Sequence, residues 1–300
     1  MQTLKSKYPA CPDRLDPAQI ARFQREGYLV FDSLLSPAEI EQARAALSEV
    51  VRRSHALAVA GSPEVMVERS KYRGHSDAGV FIKKTGGTFG LQFEAGIDPL
   101  ALSAEAAELK IRKLMYYYKE HPCFTALVEH PKIRGIVGSV LGPGSLLFQD
   151  MALIKPPFIG VEKPWHQDNA YFAYSPLDQI IGVWLALDEA TVENGCMHVI
   201  PGAHLQGAKK HFHGTDCEIV RDRLDLARVI PLEMEAGGAI FFAGMLPHQT
   251  PPNPSAHRRR ALQFHYRGAG TVELVREEYD KLFAEADGSP ASCKAALGLL

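Results

Sequence analysis

Cysteine is scarce in this chain and irregular in its spacing. The five residues (Cys11, Cys123, Cys196, Cys217 and Cys293) form no Cys-x-x-Cys pair, and their number is odd. Neither a disulfide framework nor a cysteine zinc site is therefore expected, and a reducing cytoplasm is the expected compartment. An excess of one charge is also missing. Lys and Arg number 33 against 35 Asp and Glu, a formal net charge of −2, which offers no electrostatic footprint for nucleic acid. Long apolar runs are lacking too. No stretch approaches the roughly 20 residues of a membrane-spanning helix, and the opening MQTLKSKYPACPDRLD has no apolar core of a secretory signal. Repeats and low-complexity tracts are absent. What remains is a chain of 300 residues, 46% of them hydrophobic, enough for one substantial core. The expectation is a single soluble domain over 1–300, without a nucleic-acid or membrane partner.

Local signals divide that domain into a helical part, about 1–143, a β-rich part, about 144–268, and a tail, 269–300. Asp16 followed by Pro17 opens a helix that ends at Gly27, and a short strand Tyr28–Phe31 follows. Ser36 and Glu39 form a capping box for a helix through about Ala60, with an apolar stripe of Ile40, Ala43, Leu47, Val50, Val51 and Leu57. Residues 61–103 read as polar, Gly-rich and irregular, apart from a strand-like Leu91–Glu94, and have the character of a lid or a surface excursion. Helices are expected over about 104–120, and from Pro122 with a restart at Pro131 and a stop near Gly142. Beyond Ser145 the pattern becomes β-rich, with strands expected at 145–155, 180–188, 196–200, 227–232, 239–243 and 259–267. That spacing favours a sandwich or barrel over a parallel α/β sheet.

The chemistry concentrates in Lys163-Pro164-Trp165-His166-Gln167-Asp168-Asn169-Ala170-Tyr171. In an extended segment His166 and Asp168 point the same way and Gln167 does not, which suits two ligands on one metal ion. The pattern alone is weak. With 12 histidines and 35 acidic residues, chance supplies about 1.4 such pairs. A second one, His75-Ser76-Asp77, sits in a Gly-flanked polar loop with no strand to aim it. The first lies beside the β-rich part, among Trp165, Tyr171 and Phe172. His248, just after the apolar Phe241-Phe242-Ala243, is the best third ligand, against the alternative of an ordinary core histidine. Two histidines and a carboxylate make the facial triad of non-haem iron(II) oxygenases, with three coordination positions open. Such iron needs two further electrons, commonly from a 2-oxo acid with a distant carboxylate, and arginine grips a carboxylate through its planar fork. If 259–267 is a strand, Arg259, Ala261, Gln263 and His265 share one face, and Arg260, Leu262, Phe264 and Tyr266 the other. Alternation then turns Arg259 inward, although three successive arginines also fit a solvated edge.

These residues carry a resemblance. His166, Asp168 and His248 match the H-x-D…H ligands of the phytanoyl-CoA dioxygenase family, and Arg259 stands where that family places its 2-oxoglutarate arginine. Asn253-Pro254-Ser255, Glu193-Asn194-Gly195-Cys196 with Pro201-Gly202-Ala203-His204, and Phe23 to Val30 also resemble family segments. The resemblance implies an α+β fold with a double-stranded β-helix (jelly-roll) core and flanking N-terminal helices. It implies Fe(II), 2-oxoglutarate and O2, with 2-oxoglutarate chelating iron through its 1-carboxylate and keto oxygen while Arg259 holds the far carboxylate. Trp184, Met151, Gln149 and Lys113 (Arg112 under a one-residue shift) would complete the cosubstrate shell, with Asn169 and Tyr171 nearer the substrate. The implied reaction hydroxylates a C–H bond of a small organic substrate and yields succinate and CO2. Desaturation, epoxidation and ring formation draw on the same centre. Iron halogenases of this fold have a small residue in place of the carboxylate, so Asp168 argues for oxygenation. The rivals are a metal-binding jelly roll without turnover and a zinc hydrolase; neither needs the carboxylate clamp. Segments 61–103, 205–226 and the tail carry little of the resemblance and are where substrate identity is expected to reside. Lys83, Lys84 and Arg73 suggest an anionic group there. His211, His213 and Cys217 read as a surface loop in preference to a second metal site.

Overall fold

The computed structural model describes residues 7–69, 79–213 and 216–284. Its helical start follows the capping signals. Asp16 accepts the Gln19 N–H and the Gln19 side chain reaches back, opening α1 (Pro17–Glu26), which Gly27 closes at φ 84°. β1 (Tyr28–Phe31) leads to α2 (Pro37–Val59), opened by the Ser36–Glu39 box. Pro122 and Pro131 start α4 (Pro122–Val128) and α5 (Pro131–Leu141) at the position where proline's missing N–H costs nothing.

Between α2 and α4 the chain departs from the expected pattern. Residues 61–103 are not irregular throughout: they hold β2 (Val65–Arg69), β3 (Val80–Lys84) and β4 (Gly90–Phe93). The helix expected over 104–120 is only α3 (Ala104–Glu108), after which β5 (Ile111–Met115) enters the sheet. Its partners on both sides, Gln92 opposite Lys113 and Leu114 opposite Ala152, override a helical propensity that local sequence favours. His75-Ser76-Asp77 and Arg73 lie outside the described residues.

The β-rich part begins with β6 (Leu146–Lys155) and β7 (Lys163–His166), then a single helical turn, α6 (Asn169–Phe172). It continues through β8 (Tyr174–Ser175), β9 (Ile180–Ala186), β10 (Met197–Val199), β11 (His211–His213), β12 (Cys217–Ile219), β13 (Ile230–Leu232), β14 (Ala239–Ala243), β15 (His248–Thr250), β16 (Arg259–Arg267) and β17 (Val272–Glu273). The segment 205–226 is thus more than a surface loop: β11 and β12 form a hairpin. The tail includes α7 (Arg276–Phe283).

Two antiparallel sheets face each other in a jelly-roll core. The larger runs β1-β14-β9-β16-β6-β5-β4-β3-β2 and the smaller β13-β10-β15-β7. Alternation along the large sheet divides its side chains cleanly. Ile181, Val183, Leu185, Leu262, Phe264 and Tyr266 pack outward with the helices, whereas Trp184, Ala186, Ala261, Ile240 and Phe242 pack inward with Met197, Val199 and Leu232. No helix among the described residues is long and apolar enough to cross a membrane. Cys11, Cys123 and Cys196 are free thiols, but Cys217 is disulfide-bonded, contrary to the expectation from spacing.

Candidate metal centre

The small sheet aligns two of the three candidate ligands. His248 begins β15 and pairs directly with His166 at the end of β7, placing the imidazole centroids 4.2 Å apart. Asp168 completes the group by a different route from the one expected. It is not two residues along a continuous strand but at φ −59°, ψ −36°, where the chain turns into α6. That turn swings the carboxylate toward the two rings: Asp168 Oδ1 is 3.3 Å from His166 Nε2 and 3.6 Å from His248 Nε2. The three residues are buried, and their ligand atoms lie within 4.8 Å of one another, a group that could hold a metal ion.

Backbone carbonyls fix both imidazoles. Nδ1–H of His166 donates to Pro164 at 2.7 Å and Nδ1–H of His248 to Leu246 at 2.9 Å, leaving each Nε2 lone pair free toward Asp168. Burial pushes the His248 pKa down to about 3, so its ring is neutral, as a metal ligand must be. Burial works against the Asp168 charge, but His248, His265 and His166 around it hold the carboxyl well below its usual range.

Two further histidines complete the centre, and neither role was read from sequence. His265 on β16, fully buried, donates from Nε2 to Asp168 Oδ2 at 2.9 Å. The signal available was alternation, which put it on the inward face with Arg259. His211 on β11 is core and not surface: its Nε2 accepts the Gln167 N–H at 3.0 Å, clamping the residue between the two ligands. The Gln167 side chain points away from the centre, bonding the carbonyls of Gly207 and Met245 and the Lys209 N–H. His211, and Cys217 on the paired strand, therefore belong to the support of the centre.

Register assembles a second group on the same inward face. On β6, Gln149, Met151 and Leu153 stand opposite His265, Gln263 and Ala261, and on β9 Trp184 stands opposite Gln263. Lys113 of β5 is the partner of Leu153, and Met115 of Met151. Arg112 instead falls where the β4–β5 register shifts and lies 3.5 Å from the Glu94 carboxylate. Arg259 begins β16 and is 1% exposed, with its guanidinium 5.3 Å from the Trp184 ring. Nη1 donates to the Leu153 carbonyl, whereas Nε of Arg259 and Nε1 of Trp184 are buried without a partner, as is Gln149 Oε1. No carboxylate pairs with Arg259 among the described residues. Burial lowers its pKa to about 10, so it stays charged at neutral pH. Arg260 is on the outer face, bound to Asp188 through Nε and Nη2. Asn253 ties the approach to β16 by donating to the carbonyls of Lys155, Pro156 and His257 while Ser255 caps its oxygen.

The residues expected nearest the substrate have other partners. The Asn169 amide donates to and accepts from the Tyr174 backbone, closing the α6 turn. Tyr171 packs edge-on to His166 at 5.8 Å, and its hydroxyl donates to Asp216 at 2.8 Å. Burial opposes the charge of Asp216, but Lys163 at 2.7 Å outweighs it and holds the pKa far below the usual value. Lys83 and Lys84 pair with Glu68 and Glu120 at the surface and so provide no free cation for an anionic substrate.

The donor set fits the implied groups. Two imidazoles and a carboxylate suit iron(II), and a buried guanidinium with no carboxylate in ion-pair contact, beside unpartnered donors, suits a dicarboxylate. Comparison with known proteins agrees. The chain is 30% identical over 258 residues to phytanoyl-CoA dioxygenase 1 of Oryza sativa subsp. japonica, covering 84% of this chain and 88% of the relative. It is 27% identical over 273 residues to phytanoyl-CoA dioxygenase domain-containing protein 1 of Rattus norvegicus, with coverage of 86% and 92%. The non-heme alpha-ketoglutarate-dependent carbocyclase SnoK from nogalamycin biosynthesis shares the fold with a TM-score of 0.61, 21% identity and 88% coverage of each chain. Residues 23–261 match the family model of phytanoyl-CoA dioxygenase, and the chain accordingly belongs to that family of oxygenases, which uses Fe(II), 2-oxoglutarate and O2.

Proposed function

We propose that this protein hydroxylates an unactivated C–H bond of a small organic substrate, consuming O2 and 2-oxoglutarate and releasing succinate and CO2, with one oxygen atom going to the substrate and one to succinate. The observation that carries the reading is Arg259. A fully buried guanidinium without a carboxylate partner is costly unless a ligand supplies the anion, and the far carboxylate of 2-oxoglutarate does so.

His166, Asp168 and His248 would hold the iron. When bound, iron and 2-oxoglutarate supply the electrons that reduce dioxygen. The chain's own residues bind, orient and exclude water. Arg259, braced by Leu153, anchors one end of the cosubstrate, and the unpartnered Trp184 Nε1 adds a second donor. Gln149, Met151 and Lys113 share the face between that anchor and the ligands and would line the cosubstrate. Tyr171 on His166, and Phe172 on His265 with centroids 4.7 Å apart, cover one ligand and the partner of another with aromatic surface.

The test is an anaerobic titration of the metal-free protein with Fe(II) and then 2-oxoglutarate, following the weak visible charge-transfer absorption of the chelate. The band is expected in the wild type. Arg259→Ala should require at least about tenfold more 2-oxoglutarate, a loss of about 1.4 kcal/mol, and His248→Ala should give no band. A folded, iron-binding wild type with neither band nor succinate release would overturn the proposal in favour of a metal-binding jelly roll without turnover.

A further inference from the structure

We infer that His265 reserves one oxygen of Asp168 and thereby keeps that residue a single-atom ligand, which makes His265 a positioning residue of the centre. The inference rests on the iron-binding reading above.

The two carboxylate oxygens of Asp168 have different neighbours. Oδ1 faces His166 and His248 at 3.3 and 3.6 Å, whereas Oδ2 faces His265 Nε2 at 2.9 Å. An ionised carboxylate only accepts hydrogen bonds, so the hydrogen is on His265 Nε2. The Gln263 terminal amide lies 2.8 Å from the same nitrogen, and with that hydrogen in place it presents its oxygen there. His265 has little room to swing away. Phe172 meets its ring at 4.7 Å, Phe148 at 6.1 Å and Phe242 at 6.5 Å. Its neighbour across the strands is Gly182, and the space a side chain there would take is filled by the Phe242 ring, 2.3 Å from an added Cβ.

A carboxylate can bind a cation through one oxygen or both. Through one, the triad would fill three of six positions and a chelating 2-oxoglutarate two, which would leave one for a diatomic gas. Through both, Asp168 and the cosubstrate would fill the remainder and leave none. The N–H of His265 on Oδ2 selects the first arrangement. Sequence spacing alone places a ligand carboxylate; only the register of β16 against β6 and β9 brings a donor to its second oxygen.

The probe is nitric oxide added anaerobically to protein loaded with Fe(II) and saturating 2-oxoglutarate, read by the electron paramagnetic resonance signal of the iron–nitrosyl species. Wild-type protein is expected to give the signal. His265→Ala should bind nitric oxide at least about tenfold more weakly while its Fe(II) affinity stays within about threefold of wild type, a contrast that a general loss of second-layer support, which lowers metal affinity itself by about 10–100-fold, would not produce. His265→Gln, whose amide N–H reaches the same oxygen, should restore the signal and controls for folding. Unchanged nitric oxide binding in His265→Ala overturns the inference, as does a fall in metal affinity with unchanged binding in the loaded fraction. A wild type that never forms the 2-oxoglutarate chelate overturns the parent reading instead.

Discussion

His211 accepts a hydrogen bond on Nε2 from Gln167 and makes another from Nδ1–H to the Lys209 carbonyl at 2.7 Å, so it functions only as a neutral ring. Burial pushes its pKa down to about 3, against roughly 6.5 in an unfolded chain. Above about 6.5 neither state holds the proton; below it the unfolded chain takes one up and the folded chain does not, so stability falls as pH drops from about 6.5 toward 3. His248 shifts the same way in the metal-free protein. Urea midpoints measured at pH 7.5, 6 and 5 should therefore decline. His211→Gln should decline less steeply, from a starting stability lower by about 1–3 kcal/mol at pH 7.5; an equal slope would contradict the assignment. At this scale sequence singled out His166, Asp168, His248 and Arg259, although the chain brings Asp168 to the histidines through the turn into α6 and not along a strand. It misread His211 as part of a surface loop and placed His265 on the inward face without its partner. Their partners are Gln167 and Asp168, more than forty and more than ninety positions away, and only folded register brings them together.

At the level of elements, local chemistry was decisive where it is self-contained. The boxes at Asp16 and Ser36, the prolines at 17, 37, 122 and 131, and the Gly27 and Gly142 stops define helices without tertiary help. Ser36→Ala should cost about 1 kcal/mol in chemical denaturation. Local chemistry failed for β5, whose sequence Ile-Arg-Lys-Leu-Met suits a helix until β4 and β6 offer backbone partners on both sides. Gly182 joins an element to the centre. A Cβ there drives the Phe242 ring aside, and Phe242 packs on His248 with centroids 4.8 Å apart. Gly182→Ala is thus expected to lose about 1–3 kcal/mol through overpacking and to bind Fe(II) more weakly. Normal metal affinity with reduced stability would show that the strain stops short of the ligand.

Across the whole molecule, segments distant in sequence converge on one centre. β1 near the start pairs with β14, and α7 packs Tyr279 and Phe283 against Ala170, Ala173 and Met245, beneath the turn that carries Asp168. The tail, where sequence placed substrate identity, thus supports the centre through Tyr279 and Phe283. Tyr279→Ala should cost about 3–5 kcal/mol, and calorimetry should show the helical and β parts still melting together. Two resolved transitions would mean that the helices fold apart from the sandwich. The cross-strand pairing of His166 with His248 also has a bearing on how the protein is born. These rings lie about eighty residues apart, and contacts of such separation form late because the intervening chain must first be closed into a loop. On a ribosome the emerging chain would carry His166 and Asp168 well before β15 exists, and β16 follows later still. Iron loading thus has to wait until β15 has paired with β7, and the metal would act as a late lock on that pairing.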